Sequence, residues 1–289
     1  GSYGHSQCLF YCFMQTLRDA SLHGTKALAI AAAGALLLSL AGCSTPNLEA
    51  QVNEAAKPDT CESAYESAVS GNSAMAAGRP LMSRYLNALI AASSWSSVSV
   101  SCPARAAEGI VHAAQAAYTA QQLAGRLGLA AASAPSVDFG ALVKLDMDTD
   151  VLLDIALEED RAGFSLGVLA ARGVDNATLA ASDAHKTAAQ RLVSLSGASS
   201  DPRQKVYAVD RLISHPQTVH DPANMLETPT LAAIEMNCAR SYLTALTDSK
   251  HISKNTLAWL ADTAKARLWH AYELGYPLVD EAVLSQQSE

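Results

Sequence analysis

Glu159, His185 and Glu235 are ionisable residues that fall on otherwise apolar helix faces of this protein. Around the first, Leu152, Ile155, Glu159, Ala162, Leu166 and Leu169 recur at helical spacing, which sets a carboxylate into an apolar stripe. His185 shares a stripe with Ala181, Ala188, Leu192 and Leu195, and Glu235 shares one with Leu231, Cys238 and Tyr242. Ionisable groups on faces meant for burial must pair with one another or hold a cation. Two carboxylates and an imidazole could hold a single iron or zinc ion, with Cys238 as a further ligand. Alternatively they form a metal-free cluster that fixes helix register. On that reading, replacing all three with leucine should be tolerated, whereas removing one strands the others.

A second chemistry attaches to Cys43. Leu40-Ala41-Gly42-Cys43 closes a 14-residue apolar run from Ala27 to Leu40, with Arg18 and Lys26 upstream. Such a run is too short to span a bilayer, and it ends in the small residues a signal peptidase needs. Residues 1–42 therefore read as a lipoprotein signal peptide, and the Cys43 thiol as the group that is lipidated. The expected location is extracytoplasmic, anchored by lipid to a bacterial cell membrane.

Three further cysteines follow. Cys61 and Cys102 lie in one helical region, each beside a helix start, and are expected to pair; Cys238 then remains as a buried small hydrophobe. The charge, with 28 acidic against 20 basic residues, argues against nucleic acid as a partner. No hydrolase nucleophile signature, phosphate-cradling glycine loop or dinucleotide fingerprint is present. Asp146, Asp148 and Asp150 alternate like the opening of a calcium loop, but Val151 and Leu157 stand where glycine and glutamate are needed. These aspartates read as helix-capping residues.

The elements that must position these groups are helices, since alanine is abundant and β-branched runs are few. The expected order is a tether (43–58), an N-terminal helical block (59–129), a linker (130–145), a helical bundle (146–276) and a tail (277–289). Within the first block, Ser93 to Ser101 reads as a serine-rich connection around Trp95. Pro103 opens a long helix that Gly128 ends. Four helices follow, over about 150–172, 176–195, a third to 246 that opens either at Asp221-Pro222 or after Thr228-Pro229, and 253–274, with one long crossover in the middle. The predicted class is all-α, a ferritin-like four-helix bundle preceded by a smaller helical block.

Residues 153–272 resemble the ferritin-like domain of unknown function found in actinobacterial proteins. The matching stretches are Ala156 to Phe164 with Gly167 to Arg172, Ala184-His185 to Arg191-Leu192, and Tyr207-Ala208-Val209. They continue with Asp221-Pro222, Ile234-Glu235 with Cys238, and Ala266 to Trp269. The resemblance implies a fold and no established activity. Bundles of this class can hold two irons through a glutamate from each of two helices and a Glu-x-x-His from each of the others. Here Ser182 stands three residues before His185, and the last helix offers only Asp262, His270 and Glu273, all off its apolar stripe. A di-iron centre is not expected, and no cofactor is required. The expected function is a non-catalytic protein tethered to the membrane, binding an envelope protein or a small ligand. The alternative is a degenerate ferritin-like metalloprotein, either a metal-binding module or a redox enzyme.

Overall fold

The computed structural model describes residues 59–278, so Cys43, the signal peptide and the tether lie outside the described residues. Eight α-helices and one small hairpin make up the described chain. Helices α1 (Thr60–Ala74), α2 (Leu81–Ser101) and α3 (Ala106–Leu127) form the first block. The second half holds the long helices α4 (Thr149–Ala171), α5 (Leu179–Ser196), α7 (Thr230–Asp248) and α8 (Lys254–Glu273). Short α6 (Asp210–Ser214) and the antiparallel strands β1 (Thr218–His220) and β2 (Glu227–Pro229) occupy the crossover between α5 and α7. The class is therefore mostly helical. No described helix is long and apolar enough to cross a membrane.

Helix ends follow local chemistry. Asp59 and Glu62 form a reciprocal capping box at α1, and Thr178 and Ser253 cap α5 and α8 through their hydroxyls. Gly128, Gly173 and Gly197 stop three helices with left-handed backbone, which a side chain would strain. Asp148 stands at the start of α4, yet its carboxylate accepts from the Lys250 backbone N–H at 2.6 Å and so ties that helix to the α7–α8 turn.

One expected connection is a helix. Residues 93–101 continue α2 without a break, because their serines fold back on the helix itself: Ser96, Ser97 and Ser99 donate to the carbonyls of Ala92, Ser93 and Ser96. Trp95 is buried there, donates to Asn72 and stacks on His112 at 4.3 Å. Gly109 lets α3 approach so closely that a Cβ would lie 2.6 Å from the Ser99 backbone nitrogen.

Cys61 and Cys102 are joined across 41 residues of sequence and pin the start of α1 to the end of α2. By the chain-entropy relation, a loop of this size stabilises by about 4 kcal/mol. A reductant, or the double change Cys61→Ser with Cys102→Ser, should therefore lower the melting midpoint. An unchanged midpoint under reduction would remove the bond from the stability account.

The segment at 130–145 divides the sequence but not the core. Ala107, Ile110, Val111 and Ala114 of α3 share one apolar cluster with Leu152, Leu243, Leu260, Leu268 and Tyr272 of the bundle. The connecting segment itself is used structurally. Asp138 accepts from Gly140 and Ala141 N–H, forming a 3-10 turn that sets Phe139 edge-on to Trp259 at 6.1 Å. In the crossover, buried Asp221 accepts from Arg240 at 2.9 Å and from the Tyr276 hydroxyl at 2.7 Å, and so pins the hairpin turn to α7.

Candidate functional site

Four helices each send one charged side chain to a single buried point. Glu159 comes from α4, His185 from α5, Glu235 from α7 and Arg267 from α8. The close approach of α4 and α5 depends on glycine: a Cβ on Gly163 would lie 2.9 Å from the Ser182 carbonyl oxygen, and one on Gly167 would lie 2.9 Å from the Ser182 hydroxyl. Ser182 is buried in that contact and donates to the Gly163 carbonyl at 2.6 Å. This is the position where a Glu-x-x-His pattern needs glutamate, and the helices are too close there to admit one.

The three residues expected from the sequence do meet. His185 Nδ1 donates to Glu159 Oε2 at 2.6 Å, and Nε2 donates to Glu235 Oε1 at 2.9 Å; all three are almost completely buried. Two further partners were not expected. Arg267 grips Glu159 with both arms, Nε to Oε1 at 3.0 Å and Nη2 to Oε2 at 2.9 Å. Tyr242 donates its hydroxyl to Glu159 Oε1. The last helix thus contributes a cation rather than any of its off-stripe ligand candidates Asp262, His270 and Glu273. A signal for it existed: Leu260, Ala264, Arg267 and Ala271 also fall on one helical face.

Two carboxylates and two cations leave the cluster neutral overall. Burial alone would raise the Glu159 carboxyl, but Arg267 and His185, with the hydrogen bonds from His185 and Tyr242, bring it down to about 2. His185 is pulled the other way. Burial would lower it and Arg267 opposes its charge, yet Glu235 and Glu159 together raise it to about 9. Glu235 is likewise held low despite burial, chiefly by His185. Cys238, whose Sγ lies 4.0 Å from His185 Nδ1, and Tyr242 are pushed well up by burial and by Glu159, so both keep their protons.

No protein-family model, curated protein or solved structure matches the chain. The site must be read from its own chemistry.

Glu159, His185 and Cys238 place three potential ligand atoms within 4.8 Å of one another. Their donor capacity is nevertheless spent. Glu159 accepts four hydrogen bonds, which fills both oxygens; His185 faces a carboxylate from each ring nitrogen; and the thiol is protonated. A metal needs neutral imidazole, thiolate and free carboxylate lone pairs. In this arrangement the guanidinium of Arg267 supplies Glu159 with the positive charge that an ion would otherwise bring. Among the described residues, the one carboxylate oxygen of the cluster without a partner is Glu235 Oε2.

The cluster is closed from above rather than sealed. Phe139 lies over the Arg267 guanidinium at 5.8 Å, and a cleft of about 610 Å³ opens between residues 134–140, α5 and α8. His270, partly exposed in that cleft, stands 3.7 Å from Glu235 Oε1 and 3.0 Å from Glu273.

Proposed function

We propose that the mature protein is a lipid-anchored, extracytoplasmic binding protein without catalytic turnover. In this reading its second half is a ferritin-like bundle holding a salt cluster where such bundles hold metal. The observation that carries it is the two-armed contact of Arg267 with Glu159. A permanent cation in that place neutralises the carboxylate, and it cannot be displaced by a metal without being left buried and unpaired. The cluster then fixes which helix faces which. The lipobox ending at Cys43 supports the location. Glu159, His185, Glu235 and Arg267 are each held in a pair of opposite charge.

The metalloprotein reading keeps one supporting observation, the proximity of Glu159, His185 and Cys238. Protein extracted from membranes without chelator decides between them. Mass spectrometry should find the chain beginning at Cys43 with acyl groups attached, and metal analysis of the same sample should find less than stoichiometric iron, manganese or zinc. A chelator should leave the melting midpoint unchanged. Stoichiometric metal that is lost on Glu159→Ala would reverse the functional reading, while an unacylated Cys43 would remove the anchor alone.

A further inference from the structure

Residues of α4, of α7 and of the crossover between α5 and α7 line a cavity of about 240 Å³. Its inner wall is apolar and buried, formed by Ala162, Val219, Ala233 and Ile234, with Cys238 at the base. Three charged side chains line it nearer the surface, Glu158, Arg161 and Arg211. Two cations against one anion is notable in a chain of net charge −8.

The polar groups inside are not spent. Ser165 is 4% exposed and lines the cavity, and its hydroxyl has no partner among the described residues. Elsewhere in this structure buried serines bond back to their own helix or across to another, as Ser99 and Ser182 do. Asn237 uses its carbonyl oxygen to accept from Arg240, which leaves the amide N–H₂ free. Arg161 gives one nitrogen to Glu158 and Arg211 gives one to the His220 carbonyl, so each keeps further donors. A small apolar cavity with a few convergent donors and cationic residues at its opening has the composition of a ligand site.

We infer that this cavity binds a small amphipathic monoanion, a short-chain carboxylate, with its apolar body on Ala162, Val219 and Ile234 and its anionic head toward Arg211. A volume of about 240 Å³ suits an apolar chain of a few carbons. Arg161 is engaged with Glu158, so Arg211 carries the charge selection. Ser165 and Asn237 donate along the way. This deepens the binding reading by naming a ligand class, and it does not depend on the ion cluster.

The test uses hexanoate as probe on the full chain, with 1-hexanol as the neutral comparator, followed by calorimetry. Hexanoate should bind saturably, one per chain, and at least ~10-fold tighter than 1-hexanol, as expected for a charge-assisted contact. Arg211→Gln, at an exposed residue, should erase that preference while leaving 1-hexanol binding unchanged. Ala208→Trp, which fills the opening from an exposed position, should abolish binding of both. No saturable binding by the folded protein, equal binding of the two probes, or wild-type binding in both variants would each overturn the assignment. Lack of hexanoate binding with an unchanged chelator response would sink this cavity and leave the metal-free cluster standing.

Discussion

Arg267→Leu is expected to be among the most damaging single substitutions in the bundle, costing about 3–5 kcal/mol and lowering the melting midpoint by roughly 10 °C. The reason is charge balance rather than lost packing. Glu159 accepts two hydrogen bonds from Arg267 and is fully buried, so removing the guanidinium leaves the cluster with two carboxylates and one cation. The sequence alone suggests that leucine at 159, 185 and 235 together would restore an apolar core. With Arg267 in the cluster, that triple variant instead strands a buried guanidinium and should remain about as unstable as the single change. Recovery should require Arg267→Met as well, with Tyr242→Phe so that no hydroxyl is orphaned. Chemical denaturation of the three variants checks this ordering. A triple variant as stable as wild type would place Arg267 outside the network.

Stability should be greatest in a narrow acidic window, roughly pH 4.5 to 6.5. Glu159 is depressed from its ordinary value of 4.5 to about 2, so its contribution is complete above 4.5 and is lost as the pH falls through 2. His185 is raised from 6.5 to about 9, so its contribution is complete below 6.5 and is lost as the pH climbs through 9. At about 1.4 kcal/mol per pH unit, each limb amounts to roughly 3 kcal/mol. The two share the same contacts and are not additive. Glu235, also held low, steepens the acid side. Melting midpoints from pH 3 to 9 should therefore trace a plateau with two shoulders, and the alkaline shoulder should vanish when the whole cluster is made apolar. A midpoint that is flat between pH 6.5 and 9 would mean that His185 is not held charged.

The sequence legibly contained what each helix decides by itself. Gly128, Gly173, Gly197 and Ser253 mark ends that depend on backbone conformation and a local hydroxyl, and these fall where expected. The inward azimuths of Glu159, His185 and Glu235 follow from the 3.6-residue period of their own helices, so their meeting was legible before any packing was known. The serine run at 93–101 reads as a connection because serine weakens a helix in isolation; contact with α3 through Gly109 and the buried Trp95 overrides that preference. A helix start at Asp221-Pro222 gives way to the hairpin at 218–229, whose three-residue strands carry too little alternation to register in the sequence.

Tertiary structure alone decided the character of the site. Periodicity fixes the direction in which a side chain leaves its own helix, but not which neighbour it meets or how far a long flexible arm extends. Arg267 reaches Glu159 across 108 residues of sequence, and Phe139 covers it from a segment with no regular repeat. The tightness of the α4–α5 contact, which leaves Ser182 where a metal site would need glutamate, depends on two glycines seen only against their partner helix. The sequence thus determined that charge is buried here. Only the packed helices determined that the charge is answered by an arginine, because burial is a property of one helix face and neutrality is a property of four.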